Sequence, residues 1–195
     1  MNDLQKLKPI LEASYLNQKE AAKKYKSLGY TYDPQLSTNE SKVFVDAQGN
    51  PNIAFRGSKR VEDFLRTDVL QFVGLGSYDK RFQEAKKLTK LVEDKYHKPA
   101  DVFGHSLGGK LSEVSGAHGN IYTYNKATGL ADIGKKISKK QKDIRTTGDI
   151  VSAISTTQGH KQKMKQLNGL LGYVQGIIPA HDLNNLSDKK YNVVK

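Results

Sequence analysis

The chain has 195 residues, 36% hydrophobic and 27% charged, the size and composition of one globular domain with a sizeable core. It has no cysteine, which excludes disulfides, thiolate metal sites and a cysteine nucleophile. Lysine and arginine total 32 against 20 acidic residues, and the formal charge of +12 raises the local concentration of anionic partners without specifying a reaction.

Residues 3–27 read as helical, with Leu4, Leu7, Ile10 and Leu11 at three-and-four spacing, then Ala21, Ala22 and Tyr25 among lysines; this region is expected to cover one face of a sheet. Val43–Asp46 and Ile53–Phe55 flank the turn-forming Gln48-Gly49-Asn50-Pro51 and predict a hairpin that runs into Arg56-Gly57-Ser58. A helical pattern passes through Val61, Phe64, Leu65 and Val69, Gly74-Leu75-Gly76 interrupts it, and Ser77 can cap a long helix carrying Phe82, Ala85, Leu88, Leu91 and Val92. Beyond Pro99 come a strand at 100–104, a helix with apolar positions 107, 111 and 114, a β-rich Ile121–Tyr124, a basic connector, and a strand at 143–147 before Gly148-Asp149. Alternating helices and strands predict an α/β fold: a mostly parallel sheet with an N-terminal antiparallel hairpin and helices on both faces. One domain is expected, with a helical region at 1–40 and the core at 41–195.

Residues 104–108 form the pentad Gly104-His105-Ser106-Leu107-Gly108, with Gly109 beyond it. A G-x-S-x-G pentad between strand and helix forces the serine into a sharp, strained turn that exposes its hydroxyl, and the glycines allow close backbone approach. Gly104–Lys110 also fits the first seven positions of a phosphate-binding P-loop. The eighth, where a Ser or Thr would ligate magnesium, is Leu111, and Ser112 points about 100° away around the helix.

A serine nucleophile needs an imidazole to take its proton and a carboxylate to orient that imidazole. His118, His160 and His181 follow Ser106 in the chain. His118 falls too far along the helix and His160 lies in a polar stretch, whereas His181 follows the apolar Ile177-Ile178-Pro179-Ala180, where a loop leaves packed structure; His181 is preferred and His160 held in reserve. Asp149 emerges at the C-terminal end of a strand, where the ligand-facing groups of parallel sheets gather. Asp132 and Asp143 are read as facing solvent or the wrong sheet end. The backbone amides of Leu107 and Ser58 are the candidate oxyanion hole. No metal or cofactor is expected.

The segments Ala54–Ser58 with Asp63 and Asp68, Phe103–Gly109, Thr147–Val151 and His181-Asp182-Leu183 together resemble the class 3 lipases, over about residues 40–185. The resemblance implies an α/β-hydrolase in which Ser106 attacks an acyl ester, often a triacylglycerol or phospholipid, with Asp149 and His181 as its partners and Ser58 and Leu107 as the oxyanion hole. Lys110 sits where that family commonly has a small apolar residue, and Phe72-Val73-Gly74-Leu75 is the best candidate for a lid. A serine esterase or lipase is therefore the leading reading. A catalytically silent hydrolase fold serving as a basic docking module, for instance in a virus particle, is the alternative, with a P-loop nucleotide binder more remote.

The lysine-rich stretch Lys126–Arg145 reads as a solvated surface, with contact to an anionic membrane as its functional alternative; it lacks the interleaved aromatics of a nucleic-acid binder. The longest apolar run, Leu170–Ala180, is too short to span a membrane. Met1–Lys6 lacks the apolar core of a secretory signal, leaving the compartment open between cytoplasm and virus particle.

Overall fold

The computed structural model describes residues 3–58, 79–129, 132–146, 162–165, 186 and 192–194. The described elements are α1 (Asp3–Ser14), α2 (Gln18–Ser27), β1 (Thr31–Asp33), β2 (Ser41–Val45), β3 (Pro51–Phe55), α3 (Asp79–Tyr96), β4 (Asp101–His105), α4 (Leu107–Val114), β5 (Ile121–Tyr124), β6 (Gln141–Thr146), β7 (Gln162–Lys165) and β8 (Asn192–Val194). The strands form one mixed sheet in sequence order, antiparallel from β1 to β3, parallel from β3 to β7 and antiparallel again at β8.

Parallel strands stepping in one direction through right-handed crossovers put their connecting helices on the same face. α3 and α4 accordingly share a core with Val43, Ile53, Phe55, Val102 and Ile121. The opposite face is covered by α1 and α2, where Leu7, Ile10, Leu11, Ala21 and Tyr25 meet Phe44, Ala54, Phe103, Tyr124 and Ile144. The period-two alternation of the strands supplies both faces: Val43 and Ile53 point one way, Phe44 and Ala54 the other. Fully burying Leu7, Ile10 and Leu11 stabilises the docked α1 by about 2 kcal/mol each.

Asn17 separates the two N-terminal helices by capping α2, its Oδ1 accepting the Glu20 N–H at 3.0 Å. Asn17→Ala is expected to lower stability by about 1 kcal/mol, measurable by urea unfolding. Tyr25 stacks on Phe44 with ring centroids 4.1 Å apart and donates to the Ile10 carbonyl at 3.1 Å, joining α2, α1 and β2. The predicted hairpin forms over Ser41–Val45 and Pro51–Phe55, with Gly49 at φ 75° and Asp46 Oδ1 accepting from the Gln48 and Asn50 amides. The three-residue β1 and the polar β7 go beyond what periodicity indicated. The helical stretch from Val61 and the lid candidate Phe72–Leu75 lie outside the described residues. No helix among the described residues is long and apolar enough to cross a membrane.

Candidate active site

β4 ends at His105 and α4 begins at Leu107, so Ser106 alone makes the turn, at φ 57° and ψ −128°. Such a conformation costs a non-glycine residue on the order of 1–3 kcal/mol and persists only where its surroundings over-determine it. A methyl group added at Gly104 would lie 2.1 Å from the Gly108 carbonyl oxygen, and one at Gly108 would lie 2.1 Å from that of Phe55. The two glycines thus let α4 fold back onto β4 and β3. Hydrogen bonds hold the turn: Ser106 N–H donates to the Tyr124 carbonyl at 3.1 Å, and the Ser106 carbonyl accepts from Gly109 and Ala127, each at 3.0 Å. Leu107 opens the helix, where an N–H has no intrahelical acceptor.

Because β3 to β6 are parallel, their C-terminal ends share one sheet edge, which gathers the loop Arg56-Gly57-Ser58, the turn at Ser106, Asn125 and Thr146. The first loop adjoins the elbow: a methyl group at Gly57 would stand 3.2 Å from Ser106 Cβ and 2.8 Å from the His105 carbonyl oxygen. Ser58, half-buried, follows directly. Asn125, buried at φ 43°, accepts from the Thr146 N–H at 2.8 Å and fixes the end of β6. An apolar cavity of about 300 Å³, walled by Phe55, Ala85, Leu88 and Leu111, opens beside Glu40 and Arg81. A cavity of about 510 Å³ lies elsewhere, against Asn52 and Asp101 at the opposite strand ends.

A family model described as phospholipase-like, a Tle-like phospholipase domain, matches residues 16–189. The chain belongs to the Tle-like phospholipase family. Neither a search of curated proteins nor one of solved structures gives a significant match.

In this member of the family the elbow places Ser106 and Leu107 together, both buried, with the Ser58 loop alongside. Asp149, His181 and the reserve His160 lie outside the described residues. His118 is not near the elbow: it lies beyond the end of α4, its ring largely exposed and bonded to Glu93 Oε2 at 2.6 Å.

A clamp that periodicity does not reveal holds the β3 loop. Arg56, with its side chain 8% exposed, pairs with Glu40 Oε1, while Arg81 bonds Glu40 Oε2 at 3.0 Å and the Arg56 carbonyl at 2.9 Å. Nearby, burial and then the Arg56 charge bring the Lys42 ammonium down to about 8, against the opposing pull of Glu40. Its Nζ donates to the Thr38 carbonyl at 2.7 Å. Glu40→Ala leaves the buried Arg56 guanidinium without its carboxylate, with its Nε bond to the Gly57 carbonyl at 3.3 Å remaining, and is expected to cost about 1–3 kcal/mol in chemical denaturation.

Two expectations about charge are corrected. Lys126, Asp132, Asp143 and Arg145 are buried, not solvated, because the first three join a network beneath α4. Lys126 Nζ lies 2.9 Å from Asp143 Oδ2 and also pairs with Glu113; Lys110 Nζ lies 2.7 Å from Glu113 Oε1 and also pairs with Asp132. Thr123 and Gln141 donate to Asp143 Oδ1 at 2.7 and 2.8 Å. This explains Lys110 in a position commonly small and apolar. It also weighs against the P-loop reading, in which Lys110 would have to reach a phosphate. Lys135, Lys136, Lys139, Lys140 and Lys142 are exposed, as expected.

Proposed function

We propose that this protein is a serine carboxylic-ester hydrolase with an α/β-hydrolase fold, cleaving lipid or small acyl esters through an acyl-enzyme. The observation that carries this reading is the positive φ of Ser106 at a strand-to-helix turn flanked by Gly104 and Gly108. Membership of a phospholipase-like family supports lipid as the substrate class, and the joint resemblance of four motifs to class 3 lipases supports the same chemistry. The apolar cavity beside the β3 loop suits an acyl chain. Close contact of α1 and α2 with β2 to β6 supports a single domain.

In this mechanism Ser106 Oγ attacks the ester carbonyl as its proton passes to His181, whose imidazole Asp149 orients. Negative charge on the carbonyl oxygen meets the Leu107 and Ser58 amides. The tetrahedral intermediate collapses, His181 returns the proton to the departing alcohol, and the acyl group remains on Ser106. Water, deprotonated by the same imidazole, then releases the acid and restores the serine. Asp149 follows the end of β6 by three residues, which supports its role because that sheet edge also carries Ser106.

The test is a fluorophosphonate probe with peptide mapping, alongside hydrolysis of p-nitrophenyl butyrate and phosphatidylcholine vesicles. An adduct on the Ser106 peptide together with ester cleavage is expected. A folded protein that neither labels nor cleaves would leave the silent docking module in its place.

A further inference from the structure

We propose that Tyr15 is a positioning residue of this site, its hydroxyl joining the Gly57 backbone to the His105 ring and so setting the spacing between the Ser58 and Leu107 amides. The proposal rests on the hydrolase reading above, because it assigns those amides to one oxyanion.

Tyr15 directly follows α1, whose buried Leu7, Ile10, Leu11 and Ala13 dock that helix on the sheet. The ring is therefore delivered by a packed element. Its hydroxyl lies 2.8 Å from His105 Nδ1 and close against the Gly57 backbone. A methyl group at Gly57 would meet that hydroxyl at 2.6 Å and Ser106 Cβ at 3.2 Å, so the loop packs against both phenol and serine. His105 is itself fixed, buried and stacked on Tyr124 with centroids 5.7 Å apart.

The link can form in either direction. A phenol has one hydrogen to donate and lone pairs to accept with. The hydrogen bond runs from Tyr15 to Nδ1 when His105 carries its hydrogen on Nε2, and from Nδ1 to the phenol oxygen in the other tautomer. Burial pushes the phenol far above its ordinary range, so it keeps its hydrogen under working conditions.

The two amides come from different elements: Ser58 from the loop after β3, Leu107 from the start of α4. An oxyanion hole works only when both donors sit about 2.7–3.1 Å from the developing charge, and a shift of about 1 Å costs about 100-fold. Tyr15 bridges Gly57, immediately before Ser58, and His105, two residues before Leu107.

The experiment compares the wild type with Tyr15→Phe, His105→Gln and the double variant on p-nitrophenyl butyrate. Phe keeps the ring and loses only the bridging hydroxyl. A fall in kcat of about 10–100-fold with KM within about threefold is expected, together with a double variant no worse than the weaker single one. Wild-type kcat in Tyr15→Phe, with hydrolysis still lost in Ser106→Ala, overturns the proposal and leaves the hydrolase reading standing. A wild type that neither labels nor hydrolyses overturns both. Imidazole ¹⁵N NMR in the Ser106→Ala background gives a readout free of turnover: a His105 ring resonance that shifts on Tyr15→Phe supports the link, and one that does not move overturns it.

Discussion

Ser106→Ala is expected to lower ester hydrolysis by about 10⁴-fold or more and to abolish fluorophosphonate labelling, with the circular dichroism spectrum unchanged. The residual rate would come from the oxyanion amides and substrate binding, which the substitution leaves in place. His181→Ala and Asp149→Asn are each expected to remove most of the turnover. If His181→Ala stays active and His160→Ala does not, the proton acceptor is His160. Ser106→Gly is a companion measurement on stability. It too is inactive, yet glycine adopts φ 57° without steric cost, so it is expected to unfold at a denaturant concentration corresponding to about 1 kcal/mol of added stability. A protein whose nucleophile sits in strain is stabilised by losing it, whereas at a relaxed serine the same change to glycine would destabilise.

The second large effect concerns the charges beneath α4. Lys126 is 1% exposed and faces Asp143 and Glu113, 4% and 6% exposed. Removing one member of such a cluster leaves opposite charges buried with fewer partners, so Lys126→Met is expected to cost about 3–5 kcal/mol in urea unfolding at neutral pH. Acidification adds a signature. Burial alone would raise the Glu113 carboxyl, but Lys126 and Lys110 outweigh it and hold the group down at about 2. Because the folded value lies below the unfolded one, Glu113 contributes stability that is fully present above about pH 4.5 and lost as pH falls toward 2, roughly 3 kcal/mol in all. In Lys126→Met one of the two compensating cations is gone, so the acid-side loss should begin at higher pH. Equal acid profiles for wild type and variant would show that Lys126 does not hold Glu113 ionised.

Much of the architecture was readable from periodicity and turn chemistry. The hairpin, the long helix through Phe82 and Val92, and the strand before Ser106 all appear within a few residues of their expected bounds. Each depends on residues near one another in the chain. β7, with three of its four residues lysine or glutamine, carries no apolar alternation, and its pairing with β6 is what makes it a strand. His105 stood in plain view as the second letter of the pentad, but its partner Tyr15 is ninety residues away and carries no motif.

Local sequence by itself determined the elbow, because the constraint is steric and short-ranged: Gly104 and Gly108 flank a serine that must reverse the chain within a few residues. Tertiary structure alone decided which charges are surface and which are core. Lys126 and Lys135 are the same residue type in the same basic stretch, yet one is enclosed by Glu113 and Asp143 and the other is half exposed, 3.8 Å from Asp132. The cost of burying an ammonium depends on carboxylates brought to it by other elements, and their positions exist only once α4, β5 and β6 have come together.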